Sequence, residues 1–138
     1  MTKRNAELKS CPVAATLGVI GGRWKTAVVF KLLRGTQRFG ELRRSLPTVT
    51  QRMLTLQLRE LEADGLVRRT VYAEVPPRVE YDLTTWGRSL EPMLMAMCEW
   101  GQRYHRRLET RARAADDALA DEPQNTRTTA AANCPRLR

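Results

Sequence analysis

Apolar positions change their period along this chain, and each change marks an element. The clearest pattern covers residues 48–63, Thr-Val-Thr-Gln-Arg-Met-Leu-Thr-Leu-Gln-Leu-Arg-Glu-Leu-Glu-Ala, between Pro47 and Gly65. At about 100° per residue, Leu54, Leu58 and Leu61 share one face, with Thr50 and Gln57 at its border. Arg52, Thr55, Leu56 and Arg59 fall on the opposite face. The flanking proline and glycine are start and stop signals, and Thr48 or Thr50 can cap the first turn. The pattern predicts one helix that buries leucines and shows guanidinium and hydroxyl groups to solvent.

The segments before it read as shorter helices. Pro12 follows Ser10-Cys11 and suits the first position of a helix through Val13, Leu17, Val19 and Ile20, which Gly21-Gly22 stops. A second helix is expected over Arg23–Leu33, with Trp24, Val28 and Leu32 at core spacing, Trp24 as a packing residue and Gly35 ending it. Thr36-Gln37-Arg38 reads as a short extended piece. Phe39–Leu46 then forms a third helix, with Phe39, Leu42 and Leu46 inward and Arg38, Arg43 and Arg44 outward.

After Gly65 the period shortens. Leu66–Tyr72 is β-rich, Glu74-Val75-Pro76-Pro77 is a turn, and Arg78–Leu83 alternates as a return strand. Thr84 then caps a long helix over roughly Thr85–Arg107, which Pro92 should bend or break near its first turns. Leu90, Met93, Leu94, Met97, Trp100 and Tyr104 recur along it at three- and four-residue spacing. That is more apolar surface than one outer helix buries on its own chain, and it points to a partner subunit. Two helices in a tight pair followed by a hairpin give the expected fold class: mainly α with a small β-hairpin, a winged helix-turn-helix. The expected layout is a flexible N-terminus over residues 1–10, a folded domain over 11–109 and a disordered tail over 110–138, after a helical extension to about Leu119.

Charge gives this pattern a direction. The chain has 138 residues, with 24 Lys and Arg against 15 acids, a net charge of +9. Residues 111–138 carry five Arg and four acids, so nearly all the excess lies in residues 1–110. Such a basic domain favours polyanions. No apolar run approaches the ~18 residues of a membrane span, so a cytoplasmic protein with no membrane partner is expected. Cys11, Cys98 and Cys134 are odd in number and far apart, which suggests free thiols, with Cys98 buried and inert within the long helix. His105 is the single histidine. With no glycine-rich phosphate loop, paired-cysteine zinc spacing or acid pair, neither an enzyme, a metal site nor a cofactor is expected.

The helix over 48–63 suits a DNA major groove, where Arg reads guanine, Gln reads adenine and small apolar groups touch the thymine methyl. Thr50, Gln51, Arg52, Thr55 and Leu56 are the candidates for base edges, with Arg59 on phosphate. Arg43 and Arg44 are placed for phosphates as the preceding helix crosses the backbone. Arg78, beside the wing tip, either reaches a phosphate or the minor groove, or pairs with a glutamate across the hairpin.

Several separate motifs, in order, resemble the HxlR family of bacterial transcription regulators. They are Cys11-Pro12-Val13, Gly21-Gly22-Arg23-Trp24-Lys25, Arg38-Phe39-Gly40-Glu41-Leu42-Arg43, Leu54–Leu61, Asp64-Gly65-Leu66-Val67 and Val75-Pro76-Pro77-Arg78-Val79-Glu80-Tyr81, across about residues 10–107. The resemblance implies a homodimeric winged-helix protein that binds double-stranded DNA, dimerised by its N-terminal and long C-terminal helices. Val13, Leu17, Leu90, Met93, Leu94, Met97, Trp100 and Tyr104 are the candidate dimer contacts. Leu56 departs from the family, where many relatives carry a polar residue. In thiol-sensing members the cysteine at the position of Cys11 is the reactive one. A thiol at a helix N-terminus also faces unpaired N–H groups, and Lys9, Arg23 and Lys25 are near in sequence. The expected function is a sequence-specific transcription regulator, a repressor, controlled by oxidation of Cys11. Its alternatives are a regulator that answers a small-molecule effector without a thiol switch, and a winged helix used for protein contact.

Overall fold

The structure is a computed structural model, and it describes residues 11–119. It divides into two compact units, one up to Glu91 and the other from Pro92 onward. The expectations for residues 1–10, the last part of the tail and Cys134 lie outside the described residues.

The first unit opens with α1 (Pro12–Ile20) and α2 (Lys25–Leu32). Pro12 takes the first position of α1 and Cys11 its N-cap, as the sequence implies. A two-residue strand β1 (Gln37–Arg38) leads directly into α3 (Phe39–Ser45). The Glu41 carboxylate accepts from the Arg38 backbone N–H at 2.7 Å, which satisfies a donor just ahead of the helix.

Next comes α4 (Gln51–Ala63), whose leucine stripe does what its spacing predicts. Leu54, Leu58 and Leu61 are fully buried, each stabilising the fold by about 1.5–3 kcal/mol. Thr50, not Thr48, is the N-cap: its hydroxyl accepts from the Met53 N–H at 3.1 Å. Val49 is also buried, directly ahead of the cap and five residues before Leu54, the register of a hydrophobic staple. At the far end the Leu66 N–H reaches the Leu61 carbonyl and the Gly65 N–H reaches that of Glu62, both at 3.0 Å. This double closure needs the left-handed backbone that Gly65 adopts at φ 74°.

The wing follows as β2 (Val67–Tyr72) and β3 (Arg78–Leu83), antiparallel, with Val67 opposite Leu83 and Tyr72 opposite Arg78. β1 pairs with the other edge of β3, giving the order β1-β3-β2. α2 packs against both α4 and β3, and the core is built of Val28, Val29, Leu32, Leu42, Leu46, Leu66, Tyr81 and Leu83 with the α4 leucines.

The long helix expected from Thr85 is broken near its first turns, just ahead of Pro92, into a short α5 (Thr85–Arg88) and α6 (Glu91–Leu119). The Thr84 hydroxyl caps α5 by accepting from Gly87 N–H at 3.0 Å, and itself donates to the Gly65 carbonyl at 2.6 Å. Gly87 is there because a Cβ would meet the Leu66 carbonyl oxygen at 2.1 Å. Pro92 stands in the first turn of α6, where its missing N–H costs no helical bond.

The second unit, by itself, is the body of α6. Trp100 and Tyr104 stack along it, with ring centroids 5.4 Å apart and planes 10° from parallel. The helix runs well past Arg107, so the extension to Leu119 is present.

Candidate nucleic-acid interface

The outer face of α4 carries the residues picked out for base contact, and the fold brings most of them together. Gln51, Arg52, Thr55, Leu56 and Arg59 line one open hollow. Arg52, Leu56 and Arg59 are exposed, while Thr55 is half-buried and donates its hydroxyl to the Gln51 carbonyl at 2.8 Å. Its hydroxyl oxygen keeps acceptor capacity toward a base. Thr50 is exposed but engaged as the cap, so its hydroxyl serves the helix first.

Arg43 and Arg44 sit exposed in the last turn of α3, where cations also suit the helix C-terminus. Arg43 Nη1 donates to Gln51 Oε1 at 3.3 Å, a bond that ties α3 to the first residue of α4. This contact fixes the Gln51 amide with its carbonyl turned to Arg43, leaving the NH2 group free to donate.

Arg78 does pair with glutamates, but from the turn and from its own strand rather than across the hairpin, where it faces Tyr72. Its guanidinium lies 3.3 Å from Glu74 and 3.5 Å from Glu80, and stacks 4.0 Å from the centre of the Tyr72 ring. The Nε is buried and the Glu80 approach lacks hydrogen-bond geometry, so this is a charge contact rather than a bond. On the same face of the hairpin Arg68 forms a bidentate pair with Asp82, whose hydrogen bond and charge raise the guanidinium pKa above its ordinary value.

Behind the interface lies a residue that sequence reading placed elsewhere. Lys25, expected near Cys11, is buried, and its Nζ sits 2.7 Å from Glu60 Oε2 on α4. Its ammonium is therefore engaged by α4. Arg23 lies 4.9 Å from the centre of the Trp24 ring. Cys11 is an exposed free thiol at the N-cap of α1 and makes no side-chain capping bond. Cys98 departs from the expectation of a buried, free thiol: it is half-buried, lies 3.8 Å from Gln102 Nε2, and is not a free thiol.

The candidate dimer residues divide by exposure. Val13 and Leu17 on α1 are exposed, as are Met97, Trp100 and Tyr104 on α6, with Leu108 continuing that row. Leu90 and Met93 are half-buried. Leu94 is 2% exposed and so the most covered of these candidates. Among the described residues no helix is long and apolar enough to cross a membrane.

A helix pair whose second member shows a polar basic face, followed by a hairpin wing within a three-stranded sheet, defines a winged helix-turn-helix of the DNA-binding type. Comparison with known proteins agrees. Residues 19–109 match the sequence model of the family described as HxlR-like helix-turn-helix. Over 115 residues the chain is 50% identical to YdeP of Bacillus subtilis (strain 168), an HTH-type transcriptional regulator, covering 82% of this chain and 90% of that one. The redox regulator HypR in its reduced form superposes with a TM-score of 0.69 at 56% identity, covering 72% of this chain and 99% of HypR. Its oxidised form gives 0.65 at 59% identity, covering 67% and 96%. The protein is thus a transcriptional regulator of the winged-helix class. Within that class it belongs to the HxlR family.

Proposed function

We propose that the chain acts as a homodimeric, sequence-specific repressor whose hold on DNA changes when Cys11 is oxidised. The observation that carries the DNA-reading part is the division of α4: three leucines wholly buried, and Gln51, Arg52, Leu56 and Arg59 wholly outside. A helix held by one face presents the other as a fixed pattern of donors and apolar groups, which is what base readout in the major groove requires. Arg52 reads a base edge, Gln51 and Thr55 hydrogen-bond its neighbours, and Arg43 and Arg44 hold phosphates. Repression is the simplest output, since a bound dimer excludes other proteins from the duplex.

Exposed apolar rows on α1 and α6 support the homodimer, because side chains such as Trp100 and Val13 stand open to solvent among the described residues. A two-fold dimer sets its recognition helices about one turn of DNA apart, ~34 Å. The redox part is supported by the exposed Cys11 thiol and by the likeness to HypR, a redox regulator. A peroxide would pass one oxygen to the Cys11 thiolate and leave as water or alcohol. The sulfenic acid formed then condenses with a thiol of a second copy, losing water and making a disulfide. The new bond shifts the spacing of the two recognition helices.

The test is fluorescence anisotropy on the duplex upstream of this protein's own gene, with reduced and peroxide-treated protein beside Cys11→Ser. The expected result is an affinity change on oxidation in the wild type and none in the variant. Equal shifts in both would remove Cys11 as the sensor, and tight binding unmoved by oxidant would leave a regulator without a thiol switch.

A further inference from the structure

Of the three arginines on the wing strands, two are neutralised by carboxylates of their own chain. Arg68 pairs with Asp82, and Arg78 lies between Glu74 and Glu80. Arg69 makes no ion pair or hydrogen bond through its side chain among the described residues. Strand alternation sends it to the face opposite Arg68. There it stands directly across from Tyr81, on the side that meets α4. Arg69 is exposed and lines a cleft between β2 and α4 with Thr55, Leu58, Arg59, Glu62 and Tyr81. Arg59 is likewise without an ion-pair partner. Glu62 is the single acid lining the cleft, so one positive charge is left over there.

Thr55 and Arg59 also line the hollow on the outer face of α4, so the cleft opens onto the surface that reads DNA. We propose that Arg59 and Arg69 together seat one backbone phosphate of the bound duplex, so that the recognition helix and the first wing strand hold the same DNA strand. A guanidinium presents paired N–H donors matched to phosphate oxygens, and two of them from different elements fix both position and orientation. This assignment rests on the DNA-binding reading and adds to it a contact that is blind to sequence.

The measurement is anisotropy of the full chain on its upstream duplex and on an unrelated duplex, across about 50–200 mM salt. Arg59→Gln and Arg69→Gln should each weaken binding to both duplexes about three- to tenfold and lower the slope of log K against log salt by about one. The double variant should lose no more slope than either single, because one phosphate is shared. Arg68→Gln, on the other face, should leave the slope unchanged, and circular dichroism should show every variant folded. Wild-type affinity and slope in Arg69→Gln, or a loss of about two in the double variant, would overturn the shared seat. A wild type that binds neither duplex would instead remove the regulator reading itself. Inorganic phosphate added at constant ionic strength should give no Arg69-dependent rise in Tm. A saturable rise that Arg69→Gln abolishes would assign the cleft to a free phosphate and overturn the DNA contact.

Discussion

Two glycines show how differently the same residue can be required. Gly65 has open space around its missing Cβ but a positive φ, whereas the missing Cβ of Gly87 would overlap the Leu66 carbonyl. Gly65→Ala should therefore cost about 1–2 kcal/mol of torsional strain. Gly87→Ala should cost about as much or more, ~1–3 kcal/mol, because backbone must move. Urea denaturation of both variants checks this, and a neutral Gly87→Ala would mean that α5 can shift freely. On the recognition face, Arg52→Ala should lose about 1–3 kcal/mol at the base it reads, while leaving stability untouched. A uniform loss over all sequences would reassign Arg52 to phosphate. The sequence marked Arg52 and Gly65 plainly, one by its place on the helix and one as a stop signal. Gly87 was silent, because its reason is a carbonyl reached only after the chain has turned back on itself.

The link between α2 and α4 is electrostatic as well as apolar. Lys25 is buried while Glu60 stays half-exposed, so the two halves of their ion pair are not equivalent. Glu60→Ala leaves the ammonium buried without its partner and should cost about 1–3 kcal/mol. Lys25→Met removes the charge with its stem retained and should stay within about 1 kcal/mol of wild type. Thermal denaturation that ranks the two the other way would show the pair to be solvated. Helix and strand periods carried most of this fold into view: the leucine stripe, the hairpin, a threonine cap at one of two positions and the break near Pro92. Lys25, Val49 and Leu94 did not declare themselves. A lysine reads as solvent-facing, a valine between two threonines reads as part of a turn, and a leucine within an apolar stripe cannot say which neighbour covers it. Arg78 left two arrangements open until the glutamates on both sides were in place.

For the molecule as a whole, the stated expectation is assembly through exposed apolar side chains. Trp100→Glu should lower the sedimentation coefficient from dimer to monomer with the helical spectrum retained, since Trp100 is 62% exposed and supports little of the fold. Leu94→Ala, by contrast, should destabilise the chain by about 2–5 kcal/mol, as a deletion in a packed interior does. A dimer that survives Trp100→Glu would move the contact elsewhere. The division of α4 has a further consequence for how such proteins diversify. Apart from half-buried Thr55, the side chains proposed to face DNA are exposed, and the three buried leucines lie on the opposite face. Substitutions on the outer face are therefore close to free of folding cost. Duplicated genes for this scaffold can drift to new operators one exposed residue at a time, without passing through an unfolded ancestor.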